Sequence, residues 1–371
     1  MASNTDQVGA TETPLLLSLP TLEYTSPEPG EAAERTFIRF ATPKDDVEAR
    51  PIFQGLDGAG VRVAVLDTGI DATHPALANR IDKEASRNFA GGDPKDYTDR
   101  QGHGTHCAGI IAAEDRGAIM SGIAPAATII ALKVLGDNGS GSQEGITRGI
   151  RYAIAQNADV ISMSLGSGAD DTAYERFRNS TADQYKAIQE ALVAGIVVVI
   201  AAGNSGRRSD KNEINPPGAF GGVITVASHD DAGRRSNFSS RGGELDLMAP
   251  GETFSTYARG VPYRGRLGRE YEQLRGTSMA CPLVAGLAAL LVQAGRARST
   301  PPGLSPQLRT LFRRSAFRAR NNYEVREVLR YFADRPHEHD RESGYGALSA
   351  VYTFVKGTVD ESKLSVKGGA K

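Results

Sequence analysis

The sequence predicts an α/β protein built on an open, mostly parallel sheet with helices on both faces. Three observations predict it. Short, β-branched, nearly all-apolar runs recur at Val61 to Leu66, Thr128 to Val134, Asp159 to Leu165, Ile196 to Ala201 and Val223 to Ala227. Such runs suit strands covered on both faces. Helical patterns lie between them: Ile146, Ile150 and Ile154 are spaced four apart, as are Ile188 and Leu192. Strand therefore alternates with helix, the pattern of a parallel sheet. Glycine is abundant, at 42 residues, which fits the many tight turns such a chain needs.

A chain of 371 residues can bury a large core, and one large α/β domain with trimmings is favoured over two equal domains. Residues 1–50 read as an N-terminal extension. Stretches such as Thr25-Ser26-Pro27-Glu28-Pro29-Gly30-Glu31 are too polar to offset ordering entropy, and only Thr36-Phe37-Ile38-Arg39-Phe40 looks like a strand. The extension is read as a loose tail, with a short pro-segment or a clamp on the active face as the functional alternatives. Residues 51–356 form the main domain and 357–371 a tail.

A net charge of −1 gives no reason to expect a nucleic-acid or anionic-membrane partner. Two cysteines, Cys107 and Cys281, make no disulfide framework and suit a reducing compartment. The N-terminus has no basic n-region, and Leu15-Leu16-Leu17 is too short for a signal sequence, so a cytoplasmic location is expected over secretion. No apolar run is expected to reach the ~18 residues of a membrane span.

Three motifs carry the chemistry: Asp67-Thr68-Gly69, His103-Gly104-Thr105-His106 and Gly276-Thr277-Ser278-Met279-Ala280. Asp67 follows the first strand at once, and Ser164 and Asn204 stand at the ends of two others. Sites in open α/β sheets form outside the carboxyl ends of strands, so these residues can face one crevice. Ser278 opens an apolar helix running to about Gln293, with Pro282 placed in or next to its first turn. A serine hydroxyl needs an adjacent base, and His103 is the natural one. Asp67 would hold the imidazole tautomer. The Ser278 N–H at a helix start and the Asn204 amide would receive an oxyanion. A metal pair of His103 and His106 is not expected, since no nearby carboxylate or cysteine completes it.

The chain resembles the subtilisin-like serine peptidases, the subtilase family. The resemblance rests on Val65-Leu66-Asp67-Thr68-Gly69-Ile70-Asp71, His74-Pro75, His103-Gly104-Thr105-His106-Cys107-Ala108-Gly109 and Gly122-Ile123-Ala124-Pro125. It continues through Ser162-Met163-Ser164-Leu165-Gly166, Ala201-Ala202-Gly203-Asn204, Phe238-Ser239-Ser240, Met248-Ala249-Pro250-Gly251 and Gly276 to Ala280. The resemblance implies a subtilisin-like fold and a serine endopeptidase with Asp67, His103 and Ser278 as the triad and Asn204 as the oxyanion amide. It also implies that a protein or peptide substrate binds in extended form beside Ser164, Leu165 and Gly166. Gly166, Gly203, Pro217, Gly218 and Ala219 would line the primary pocket, which holds no charge and points to apolar or broad specificity.

The chain also departs from the family. The family's tight calcium site commonly uses an Asp after His-Pro, where Ala76 stands here, and an Asn in the loop Glu114 to Met120, where Arg116 stands nearby. Calcium needs several oxygen ligands. A tight calcium site is therefore not expected, and no cofactor is required for the chemistry. Asp246 resembles a ligand of a weaker ion site but reads better as a strand-end carboxylate. Gly168 to Ala182 looks like a charged insertion, and Val261 to Arg275 like a long arginine-bearing loop. Cys107 and Cys281 are expected to be small buried hydrophobes under the triad. Arg309, Arg313, Arg314, Arg318 and Arg320 read as the solvated face of a helix, and His337-Glu338-His339-Asp340 as exposed rather than metal-binding. A transpeptidase or macrocyclase using the same acyl-enzyme, and a non-catalytic peptide-binding protein, are the alternatives.

Overall fold

The computed structural model describes residues 16–18, 34–39, 53, 55–114, 120–166, 181–206, 214–296, 321–348 and 353–358. The loop around Arg116, most of the Gly168 insertion, Arg309 to Arg320, most of residues 1–50 and the tail after 358 lie outside them.

The apolar runs form the central sheet. Its strands are β3 (Arg62–Asp67), β4 (Arg87–Asn88), β5 (Thr128–Lys133), β7 (Val160–Met163), β8 (Val197–Ala201), β9 (Ile224–His229) and β10 (Leu247–Pro250). Their spatial order is β10-β9-β8-β7-β3-β5-β4, and every pairing is parallel. The pleat sends alternate side chains to two cores. Val63 and Val65, and Val197 and Val199, face one; Ala64 and Leu66, and Val198 and Ile200, face the other. The first core is closed by α1 (His103–Ala112), α4 (Thr277–Arg296) and α5 (Asn322–Tyr331). The second is closed by α2 (Gln143–Ala155) and α3 (Ala182–Val193). The expected fold class is the observed one.

β3 pairs with β5 on one side and β7 on the other. The chain thus leaves β3 in one direction and returns on its far side, which opens a crevice at the carboxyl ends. Asp67 is the last residue of β3.

Small antiparallel pairs trim the sheet. β11 (Glu252–Thr256) pairs with β14 (Tyr271–Arg275), and β12 (Pro262–Tyr263) with β13 (Arg266–Leu267). The stretch Val261 to Arg275, expected to be a loop, is therefore largely strand. β2 (Glu34–Arg39), the one strand expected in the extension, pairs antiparallel with β15 (Thr353–Thr358). β1 (Leu16–Ser18) pairs antiparallel with β6 (Ser140–Ser142).

Pro282 is the sixth residue of α4, next to its first turn as expected. One expectation for this helix needs correction. The segment is long and apolar enough to cross a membrane, but 89% of that window is buried in this protein. Leucine, valine and alanine raise its mean hydropathy, and a core helix passes the same length test.

Candidate active site

Asp67, 1% exposed, ends β3, and His103 is the first residue of α1. The His103 Nδ1 lies 2.8 Å from Asp67 Oδ1. The same oxygen accepts the Thr68 N–H at 2.7 Å, while Oδ2 is buried without a partner among the described residues. Close backbone approach makes this pairing possible. A Cβ on Gly104 would sit 2.1 Å from the Gly69 carbonyl, and one on Gly102 2.1 Å from the Tyr257 ring, at a φ of +100°.

Ser278 is the second residue of α4, so its N–H belongs to the first turn, where donors lack intrahelical partners. Pro282 explains how Ser278 is seated. It has no N–H to give the Ser278 carbonyl four residues back. That carbonyl instead accepts the Ser164 hydroxyl at 2.9 Å and the Cys107 thiol at 3.5 Å. The Ser278 hydroxyl donates to the Ser164 carbonyl at 3.3 Å. Among the described residues it makes no hydrogen bond to His103; in substrate-free sites such bonds are often long and tighten when substrate binds.

Asn204 follows β8 and is turned by Thr277. Its Oδ1 accepts the Thr277 N–H at 3.0 Å and the Thr277 hydroxyl at 3.1 Å. With the oxygen so engaged, Nδ2 points away; it is buried and has no partner among the described residues. A buried, unanswered amide donor one residue from the Ser278 helix start is a place for a developing negative charge.

The other anticipated residues are placed as follows. Ser164 and Leu165 are buried just past β7, and Gly166 has open space where a side chain would be. Gly203 is half-buried, at a φ of +101°, and donates its N–H to the Thr277 hydroxyl at 3.2 Å. Pro217 and Gly218 are buried. The Gly218 carbonyl accepts the Thr225 hydroxyl at 2.7 Å, and a Cβ there would lie 3.1 Å from the Ala201 carbonyl, at the end of β8. Gly203 and Gly218 thus share the β8 end.

Both cysteines are free and buried. Cys107 Sγ stands 3.8 Å from His103 Nδ1, directly under the pair. Burial, and then the Asp67 charge, push its thiol well above the ordinary range, and burial pushes Cys281 up to about 12. Neither is a thiolate at neutral pH. Burial holds His106 down to about 3, and its Nε2 meets the Glu272 carbonyl at 3.1 Å; contrary to expectation, a carboxylate and a cysteine, Asp67 and Cys107, do stand beside His103. His337 and His339 are exposed, and His339 Nε2 meets the Leu245 carbonyl. Asp246 is fully buried between Arg326, at 2.9 Å, Arg330, and the Thr225 N–H at 3.1 Å.

The geometry offers an imidazole held by a buried carboxylate, a seated hydroxyl and a buried amide donor without a partner among the described residues. Over residues 58–346 the sequence matches the subtilase family. The chain belongs to the subtilase family. It is 40% identical over 266 residues to an intracellular serine protease of Paenibacillus polymyxa, covering 71% of this chain and 76% of the relative. It is 41% identical over 243 residues to the major intracellular serine protease of Bacillus subtilis (strain 168), covering 64% and 70%. Among solved structures, a cold adapted subtilisin-like serine proteinase superposes with a TM-score of 0.58 at 28% identity, covering 79% of this chain and 89% of that one. This subtilase is a subtilisin-like serine endopeptidase, and its substrates are proteins or peptides.

The motifs did not reveal Asp99 and Gln101, nor that Thr277, inside the serine motif, orients Asn204. An Asp just ahead of a helix start is an available signal for the first of them.

Proposed function

We propose that this subtilase hydrolyses peptide bonds through an acyl-enzyme on Ser278. His103 takes the Ser278 proton as the hydroxyl attacks the scissile carbonyl, then gives it to the leaving amine. Asp67 holds Nδ1–H and so leaves Nε2 free to act, and its charge favours the imidazolium. Asn204 Nδ2 and the Ser278 N–H receive the oxyanion. Water then attacks the ester, with His103 again as base. The reading is carried by one observation above others: the buried Asn204 Nδ2 has no partner among the described residues, while its Oδ1 is held by Thr277.

The substrate is read as an extended strand beside Ser164, Leu165 and Gly166, with Gly166, Gly203, Pro217 and Gly218 lining the primary pocket. Main-chain pairing then supplies affinity and the pocket specificity. Residues 1–50 are read as a clamp or short pro-segment, supported by the addition of β1 to β6. The catalytic unit is taken as 51–356, with 357–371 as a tail. The names of two relatives as intracellular proteases support a cytoplasmic setting.

No metal is needed for this chemistry. No tight calcium site is read at the corner after Pro75; this reading is supported by Ala76, which offers no carboxylate, and by Glu114, which pairs with Arg80 at 2.8 Å and Asn79 at 3.3 Å. The test is a fluorophosphonate probe offered to the wild type and to Ser278→Ala, followed by an unfolded protein substrate. Labelling at Ser278 with hydrolysed products is expected; an unlabelled wild type, or ligated and cyclic products, would refute the reading.

A further inference from the structure

Asp99 lies four residues before His103 and is 3% exposed. Its carboxylate accepts five hydrogen bonds. Oδ1 takes the Thr68 hydroxyl at 2.9 Å and the N–H groups of Gln101 at 3.0 Å and Gly102 at 2.8 Å. Oδ2 takes the Thr105 N–H at 2.9 Å and the Thr105 hydroxyl at 2.6 Å.

These bonds reach both halves of the Asp67–His103 pair. On the strand side, Thr68 follows Asp67, and its N–H bonds the Asp67 carboxylate. On the helix side, α1 begins without help from its own cap: Gly102 carries no side chain and has a φ of +100°. Its first N–H groups are nevertheless answered. His103 N–H meets Gln101 Oε1 at 2.9 Å, Gly104 N–H meets the Thr68 hydroxyl at 2.9 Å, and Thr105 N–H meets Asp99. Asp99 governs the second bond too. By accepting a hydrogen bond from the Thr68 O–H it fixes that hydroxyl with a lone pair towards Gly104. Its negative charge also stands at a helix N-terminus, where it is favoured.

We infer that Asp99 is the positioning residue of the catalytic pair, a buried carboxylate that ties the strand end carrying Asp67 to the helix start carrying His103. It touches neither substrate nor reacting atoms and acts through Thr68 and the first turn of α1. This rests on the acyl-enzyme reading above. An asparagine cannot replace it. Its single oxygen can face either Thr105 or the Thr68, Gln101 and Gly102 donors, and its NH2 then confronts the other set. The 2.8 Å approach of His103 to Asp67 is then no longer held from both sides.

The test compares Asp99→Asn, Thr68→Val and Thr68→Ser with the wild type in the full chain. Steady-state kinetics on a peptide amide and the low-field proton signal of the His103 Nδ1–H are read together. Asp99→Asn and Thr68→Val are expected to lower kcat about 10- to 100-fold with KM changed less than about threefold, as small misplacements do. Both should shift or broaden the low-field signal, and Thr68→Ser should restore most of the rate and the signal. A normal kcat and an unmoved signal in folded Asp99→Asn and Thr68→Val, with only the melting temperature lowered, would overturn the inference. If Asp99→Asn does not fold, Thr68→Val and its serine partner carry the comparison. Failure of the acyl-enzyme reading is distinguishable: the wild type would not label with a fluorophosphonate, while the proton signal would still report whether Asp99 sets the Asp67–His103 geometry.

Discussion

Replacing Asn204 by alanine tests the oxyanion site at its most exposed point. The substitution removes the buried Nδ2, which has no partner among the described residues, and the Oδ1 that accepts two bonds from Thr277. A hydrogen bond to a charged group contributes about 1.5–3 kcal/mol. At about 1.4 kcal/mol per factor of ten, that predicts a fall in kcat of roughly 10- to 150-fold. For subtilisin, a member of this family, loss of its oxyanion asparagine costs about 2.7–4 kcal/mol, so the upper end is the better guide. KM should stay nearly constant, because a ground-state carbonyl gains little from this donor. Stability should drop as well, by about 1 kcal/mol, since the Thr277 N–H loses its acceptor. Thr277→Val separates the two effects. It keeps Nδ2 but removes one of the two bonds that aim it, so a smaller loss, of about 3- to 10-fold in kcat, is expected. The assay is steady-state hydrolysis of a peptide amide, with melting temperature measured in parallel. An Asn204→Ala enzyme with kcat within about threefold of wild type would refute the reasoning.

Other outcomes follow from the same structure. Asp246→Ala should destabilise the fold by about 3 kcal/mol, read by denaturant unfolding, because it leaves the Arg326 and Arg330 guanidinia beside an empty buried acceptor position. Gly102→Ala should impair folding and activity; combining it with Tyr257→Ala should relieve the clash but retain the cost of a φ of +100°. Melting temperature should fall as pH drops below about 6.5. Burial depresses His74, His106 and His229, so the unfolded chain takes up protons there before the native state does. Stability from these groups is thus present above the unfolded value and lost towards the folded one, which for His106 is about 3. Carboxylates held low, such as Asp71 by Thr73 and Arg259 against its burial, add a further loss below about 4. A flat profile from pH 7 to 4 would contradict this. Chelator should leave the melting temperature nearly unchanged; a large fall would show a tight calcium site.

Much of this was legible in the sequence because it is local. A buried parallel strand needs an apolar run, and the five expected runs are five of the seven sheet strands. Edges were less legible. β9 extends past Ala227 to His229, since Ser228 and His229 are buried by hydrogen bonds that no hydropathy pattern carries. Asp67, His103, Ser278 and Asn204 could be named because each sits at a strand or helix end. Some supports could not, because they come from distant elements. The Ser278 carbonyl freed by Pro282 is met by Ser164 and Cys107, more than a hundred residues away. Asp246 read as a strand-end carboxylate, but its guanidinium partners lie on α5.

The most direct test of the central claim is to trap the acyl-enzyme. An activated ester is mixed with the enzyme, the reaction is quenched in acid, and the adduct is mapped by mass spectrometry. The account predicts the acyl mass on the peptide containing Ser278, absent from Ser278→Ala and sharply reduced in His103→Ala. Turnover of the ester with no adduct on Ser278, or an adduct that persists in Ser278→Ala, would contradict it.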